Sequence, residues 1–298
     1  MAKSLRRRLA LVAAIALTVG GCTVRTAYHF LDSALLWSLG DYIDWQGDQK
    51  DTARALIREF HQWHRYSELP RYAREVRALA GDLAGPVDRH TVDRHAQALT
   101  AAWRGFMQQL AEPAADLFSE LSTAQIDSLL ATLAERERKD RRDAVRQTPA
   151  EVRQQRDAVM AKGTERLVGS LTAEQRALIS AWTAALQDLE QQSLDHRAAW
   201  REHFAGVLRD RDGPPPLQTR LRPLFSEPDL LWSEAYRRSL EYNEGLTHQL
   251  LVDLANSMTA KQRRKATQRL YRLAADFEAL AQSPPVSFTA TRDAAASP

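Results

Sequence analysis

The densest group of side chains that could do chemistry lies in the stretch FHQWHRYSELPRYA, from Phe60 to Ala73. His61 and His64 are three residues apart, a spacing that places both imidazoles on one face of a helix. With Glu59 and Glu68 they could bind a metal ion. Zinc sites usually need three or four protein ligands, and no third ligand at a familiar spacing follows. We therefore expect a polar structural corner here, with no metal and no cofactor.

A wider set of polar residues supports the same interpretation. Asp41 and Asp44 are three residues apart and could pair with Arg65 or Arg71. Perturbed carboxylates also arise in structural ion-pair networks, so we expect such a network rather than an acid–base pair. Ser67 is predicted to cap a helix that begins near Glu68. The candidate polar corner comprises Asp41, Asp44, Trp63, His64, Arg65, Glu68 and Arg71.

Other catalytic patterns do not occur in the sequence. There is no G-x-S-x-G, no glycine-rich phosphate loop and no H-E-x-x-H. The remaining histidines are isolated and are expected to lie on the surface or in helix packing. No catalytic residues are predicted, and we do not expect an enzyme.

The single cysteine, Cys22, has a different context. Lys3 and three arginines precede an uncharged run from residue 9 to residue 21, the pattern of a secretory signal peptide. This run of thirteen residues is too short for an ordinary transmembrane helix, which needs about 20. The sequence thus predicts a signal peptide over residues 1–21, with an ordinary secreted protein carrying a chance cysteine as the alternative.

The residues before Cys22, Val19-Gly20-Gly21, resemble a bacterial lipobox. The resemblance implies that the thiol of Cys22 is diacylglycerylated, that residues 1–21 are removed, and that the new amino terminus is acylated. Several acyl chains together anchor stably, whereas one alone holds only marginally. Thr23 stands where an Asp would signal retention in the inner membrane. By this resemblance, we expect a lipid anchor in the outer membrane, facing the periplasm.

Loss of the signal peptide changes the charge of the chain. Four cations precede Cys22, so the 41 Lys and Arg residues fall to 37 against 38 Asp and Glu, a formal net charge of −1. Binding to phosphates needs a retained basic excess or a basic face, so we exclude nucleic acid as a partner.

The mature chain is predicted to be all-α, as antiparallel helical hairpins or a bundle. Apolar residues recur at the spacing of one helix face, as in Leu99, Trp103, Phe106 and Leu110, and these faces are expected to form core. The prediction is one helical domain over residues 22–282, with two sub-bundles divided near residue 148 or at residues 210–216 as an alternative. Residues 283–298 are small and polar and are predicted to be disordered.

A short pattern recurs at predicted helix starts. LSTAQ, LTAEQ and MTAKQ, starting at residues 121, 171 and 258, each fit a capping box, in which a hydroxyl and a glutamine bond each other's backbone N–H groups. The residues concerned are Ser122 with Gln125, Thr172 with Gln175, and Thr259 with Gln262. WQGDQK, from Trp45 to Lys50, is a degenerate copy whose cap is doubtful because Gln46 replaces the hydroxyl.

These L-T-x-x-Q segments resemble those of the Spy/CpxP group of periplasmic chaperones, which are all-α proteins with a concave surface. The stretch from Leu31 to Lys50, with WHRYSELPRYAREV after it, is similar to an uncharacterised family of proteobacterial lipoproteins known only as a domain of unknown function. Gln46-Gly47 departs from the pattern of that family. The second resemblance implies no activity.

Two functions remain open. The resemblance to Spy/CpxP implies a chaperone-like lipoprotein that presents an apolar groove with a polar rim to unfolded envelope proteins. The alternative is an envelope assembly module that binds one specific folded partner. Adaptable binding surfaces are often rich in methionine, yet only Met107, Met160 and Met258 follow Cys22, which argues modestly against a promiscuous groove. The sequence does not determine the oligomeric state.

Overall fold

The computed structural model describes residues 22–283, and within this range every regular element is helical. The all-α prediction is therefore confirmed. The predicted signal peptide and nearly all of the predicted disordered tail lie outside the described residues. In chain order the helices are α1 (Cys22–His29), α2 (Leu31–Gly40), α3 (Gln49–Trp63), a π-helical segment (His64–Glu68), α4 (Leu69–Asp82), α5 (Arg89–Ser119), α6 (Thr123–Val145), α7 (Pro149–Val168), α8 (Ala173–Ala185), α9 (Glu190–Arg209), α10 (Leu217–Ser226), α11 (Glu234–Asn256) and α12 (Ala260–Gln282).

The helices enclose two large apolar cores. The first core lies among α3, α6, α9, α10 and the end of α5, and it includes Leu121, Ile126, Leu208 and Leu221. The second lies among α4, α7, α8, α11 and α12. Because Leu208 and Leu217 both belong to the first core, and so do residues before 148, neither predicted break separates the two cores.

Two long helical segments run from one core to the other. α5 has 31 residues and is therefore about 46 Å long. Its last turns pack on α10, and it also contacts α11 beside the second core. The continuous helical stretch from Gln49 to Asp82 likewise contributes Ala53 to the first core and Ala80 to the second. The surface between the cores is consequently built from the middles of long helices.

Each of the three predicted hydroxyl–glutamine pairs forms a reciprocal capping box. Ser122, Thr172 and Thr259 each accept a hydrogen bond from the backbone N–H of the glutamine three residues on, and the glutamine side chain accepts from the cap residue. A fourth box, Thr148 with Glu151, starts α7. In the degenerate copy only half of the pattern is present, because Gln49 accepts from the N–H of Gln46 but no hydroxyl is available.

The capping glutamines also pair with one another across the fold. Gln175 and Gln262 exchange side-chain hydrogen bonds of 3.1 and 2.9 Å, although they are 87 residues apart. Their remaining N–H groups donate to the carbonyls of Ser257 and Ser170. Every donor and acceptor of both amides is thereby used. We call this arrangement the α8–α12 glutamine junction.

The degenerate copy takes part in an equivalent pair at the first core. Gln49 and Gln125 exchange hydrogen bonds of 3.2 and 2.7 Å. Their other N–H groups donate to the carbonyls of Glu120 and Asp44. In all four recurring segments, the glutamine side chain donates to a backbone carbonyl of the segment with which it pairs. That carbonyl lies two residues before the cap position of the paired segment. The recurring segments therefore join helices two by two, once in each core.

Candidate functional site

A large apolar groove lies between the middles of the long helices. Its volume is about 1840 Å³, and every described helix except α10 contributes lining residues, most of which come from α4, α5, α7 and α11. Aromatic and aliphatic residues form most of the wall, among them Phe60, Trp103, Phe106, Met160 and Phe277. Drug-sized ligands bind in pockets of about 300 to 1000 Å³, so this groove exceeds the usual size of a small-molecule site.

Several large apolar side chains of the groove remain open to solvent. Leu99 is 74% exposed and Val159 67% exposed, and Trp103 and Leu251 are also exposed. The prediction that the face of Leu99 and Trp103 is core is therefore wrong. The spacing was that of an apolar face, but α5 crosses between the two cores at this point, where no neighbouring helix covers it. Contiguous exposed apolar surface in a soluble domain marks sites of interaction.

Charged residues border one end of the groove. Asp143 lies in the last turn of α6, Arg146 directly follows that helix, and Arg156 lies in α7. Arg156 is held by Asp188 at 3.2 Å, and the nearby Asp140 by Arg197 at 3.4 Å. The groove is thus lined mainly by apolar side chains, with a group of charged ones where α6 ends and α7 runs past it.

A cluster of aromatic and histidine rings lines the groove beside α1. The hydroxyl of Tyr28 lies 2.8 Å from Nδ1 of His64, and the ring of Tyr28 lies 4.3 Å from that of His61. His64 also contacts Phe106 and Tyr72 edge to face, with ring centroids 5.6 and 5.5 Å apart. We call these five residues the ring cluster.

Burial keeps three side chains of the ring cluster, Tyr28, His64 and Tyr72, uncharged at neutral pH. Desolvation, with a smaller contribution from the charge of His61, lowers the pKa of His64 to about 4. Desolvation raises the pKa of Tyr72 to about 12 and also raises the pKa of Tyr28. At neutral pH, therefore, the hydroxyl of Tyr28 donates to an unprotonated His64. This wall of the groove carries no charge on these three residues.

Most of the polar side chains that line the groove already have hydrogen-bond partners. His95 lies 2.8 Å from Asp82, His248 lies 2.7 Å from Asp93, and Trp182 donates to Thr247. Gln175, which also lines the groove, is fully used in the α8–α12 glutamine junction. The groove therefore offers few free hydrogen-bonding groups to a ligand.

The structure divides the predicted polar corner between the two ends of α3. Asp41 pairs with Arg136 and Asp44 supplies its carbonyl to Gln125, both near the start of α3. Arg65 and Arg71 lie beyond its end, about 22 Å further along a helix of 15 residues. The predicted pairing of Asp41 or Asp44 with these arginines is therefore wrong. The two groups are close in sequence, but the length of α3 separates them in space.

The far end of α3 gathers the other members of the corner. Trp63 and His64 are ring neighbours, with centroids 6.4 Å apart. Arg65 and Glu68 are buried, with Arg65 3.4 Å from Nδ1 of His29 and Glu68 3.1 Å from Arg71. Their other neighbours were missed by sequence reasoning: Tyr28, His29 and Asp32, of which Asp32 pairs with His61. These residues arrive from α1 and α2, and no sequence signal linked them to α3.

The predicted helix cap at Ser67 is also wrong. The chain stays helical from α3 into α4 through the π-helical segment, and Glu68 rather than Ser67 precedes α4. Pro70 has no N–H and would clash with a carbonyl four residues back in a regular helix. A π turn widens the helix locally, which accommodates the proline without a break.

No metal centre is apparent in the part of the chain that is described. Within residues 22–283 no three His, Cys, Asp or Glu residues are placed to hold a metal ion. The backbone of Cys22 begins α1, and its side chain lies outside the description. No helix in the same range is both long and apolar enough to span a bilayer.

Comparison with known proteins gives a family without an assigned activity. The model of a family of unknown function, DUF6279, matches residues 41–237. This range includes α3 to α10 and three of the four recurring segments. No curated protein matches the chain. No solved structure matches it either. Because the family model covers well over half of the sequence, the chain belongs to the DUF6279 family of unknown function.

Proposed function

We propose that this protein is a lipid-anchored protein of the bacterial envelope that binds apolar segments of non-native envelope proteins in its groove. The observation that carries the proposal is the groove of about 1840 Å³ with Leu99, Trp103, Val159 and Leu251 exposed along it. Exposed apolar area is costly in water, and burying it against a ligand recovers about 25 cal/mol per Å².

The hydrogen-bonding state of the groove favours a particular kind of segment. A polypeptide that enters an apolar site must satisfy its own N–H and C=O groups, because each one left without a partner costs free energy. Most of the polar side chains of the groove already have hydrogen-bond partners, as in the pair of Trp182 and Thr247. A helical segment bonds its own backbone, so apolar helix-forming segments are the expected clients.

The envelope location rests on the segment before Cys22. The basic start, the short apolar run and the lipobox-like residues at its end support export and lipid attachment at Cys22. Metabolic labelling with palmitate tests the anchor. Label in the wild-type chain and none in Cys22→Ser is expected, whereas label that persists in the Ser variant contradicts it.

Client binding is tested by the ability of the protein to suppress aggregation of a chemically unfolded envelope protein. Leu251→Arg places a charge in the groove and is expected to abolish protection. Leu230→Arg is the matched control, because Leu230 is 47% exposed and Leu251 42% exposed, and Leu230 does not line the groove. Equal protection by both variants would rule out the groove as the client site.

A specific folded partner remains the second candidate. Only two methionines, Met160 and Met258, line the described groove, and methionine-poor surfaces adapt less readily to many partners. Capture of envelope proteins by the wild-type and Leu251→Arg chains separates the two functions. Many unfolded proteins lost together from the variant indicate a chaperone, whereas one stoichiometric protein indicates an assembly module.

A further inference from the structure

The start of α1 lies at the edge of the apolar groove. Val24, Ala27 and Tyr28 line the groove, and Val24 is buried against Leu69 and Leu280. Arg25 pairs with Asp276 of α12 at 3.1 Å, which fixes the helix in this position. Cys22 is only two residues before Val24, about 3 Å along the helix axis. The backbone of Cys22 therefore lies within one helical turn of residues that line the groove.

From this position we infer that acyl chains carried by Cys22 fold back into the groove when the protein is not inserted in a bilayer. The inference rests on the proposed lipid anchor. The occupant is hydrocarbon, which needs no hydrogen bonds, and the groove supplies mainly apolar walls on which most polar side chains already have partners. Phe60, Leu99 and Phe106 continue the lining beyond α1 and provide the apolar surface that a long chain would cover.

This occupancy makes the membrane a regulator of the same groove. While the acyl chains fill the groove, clients are excluded from it. Insertion of the chains into a bilayer withdraws them and opens the groove to apolar segments. The pair of Tyr28 and His64 in the ring cluster suits a hydrocarbon chain, because the two side chains hydrogen-bond each other without a charge.

The test uses the full lipidated protein labelled in cells with a photoreactive fatty acid and then transferred to detergent-free buffer. After illumination, mass spectrometry locates the cross-links. The expected cross-links fall on groove residues such as Val159 and Leu251, and the protein is expected to remain monodisperse. In vesicles of phosphatidylethanolamine and phosphatidylglycerol, the same cross-links are expected to disappear in favour of lipid adducts.

Two variants make the result decisive. Leu251→Arg is expected to lower groove cross-links by about tenfold or more, because a charge in an apolar site is costly, and to cause aggregation without detergent. Leu230→Arg is expected to behave as wild type. Cross-links confined to sites outside the groove, or equal in both variants, would overturn the inference, as would absence of label from Cys22. Groove cross-links with no client protection would overturn only the proposed client binding.

Discussion

Gln175 belongs both to the α8–α12 glutamine junction and to the wall of the apolar groove. The two regions differ in what they bury: the junction buries paired polar atoms, whereas the groove leaves apolar side chains exposed to solvent. In the junction, Gln175 is 1% exposed and every polar atom of its amide is paired. In the groove, large apolar side chains such as Leu99 remain in water. Paired polar atoms in the interior are the mark of a structural joint, whereas uncovered apolar surface is the mark of a binding surface.

The largest predicted effect is a pH dependence of the free energy of unfolding that arises from His64 in the ring cluster. The folded chain holds the pKa of His64 near 4, below the ordinary value of 6.5, so the unfolded chain binds more protons between these values. The free energy of unfolding should therefore fall as the pH drops from about 7 to 4, by up to about 3 kcal/mol from this residue. Urea unfolding at a series of pH values measures the loss.

His64→Gln is the control for this pH dependence, because glutamine can still accept from Tyr28 but does not titrate. The variant should lose the part of the pH dependence between 6.5 and 4 that His64 contributes. An unchanged pH profile would contradict the assignment of a buried, neutral histidine to the groove wall.

The second prediction compares the two glutamine pairs. Gln262→Ala leaves the buried amide of Gln175 without its partner, and we expect a loss of about 1 to 3 kcal/mol. Gln49→Ala is the matched change at the other pair, where Gln49 is only partly buried and its cap lacks a hydroxyl. Thermal or urea unfolding should show the smaller loss for Gln49→Ala, and a larger loss there would reverse the ranking of the two junctions.

The third prediction concerns the caps themselves. Thr172→Ala removes the hydroxyl that accepts from Gln175, and we expect a loss of about 0.5 to 2 kcal/mol with the fold retained. Thr172→Ser keeps the hydroxyl and should restore most of the stability. Unfolding that stays unchanged in Thr172→Ala, with client protection lost, would assign a direct functional role to the segment.

The smallest effect on stability is expected in the groove. Leu251→Arg changes an exposed side chain, so its free energy of unfolding should differ from wild type by less than about 0.5 kcal/mol. The same limit holds for Leu230→Arg. A large loss in Leu251→Arg alone would show that the groove surface supports the fold and would weaken the contrast with the junction.

Local patterns were predictable from the sequence, and long-range ones were not. The capping boxes of Ser122, Thr172 and Thr259 follow from a three-residue spacing, and Thr148-Pro149-Ala150-Glu151 carried the same readable signal. The pairing of Gln175 with Gln262 depends on residues 87 positions apart, which no local rule connects.

The groove shows a second limit of sequence reasoning. Periodicity identifies the apolar face that contains Leu99 and Trp103, but it does not tell whether another helix covers that face. The polar corner fails for a related reason, since Asp44 and Arg65 are near in sequence but lie at opposite ends of α3. Tertiary partners such as Tyr28 and Asp32 decide the surroundings of His61 and His64.

The most direct test of the central claim places a photo-cross-linking amino acid at Val159, inside the groove, and separately at Tyr242, which is exposed on α11 outside it. The two chains are illuminated in cells whose envelope proteins have been unfolded by mild heat. The account predicts many envelope-protein adducts at Val159 and few at Tyr242. Equal adducts at both positions, or none at Val159, would contradict the groove as the client-binding surface.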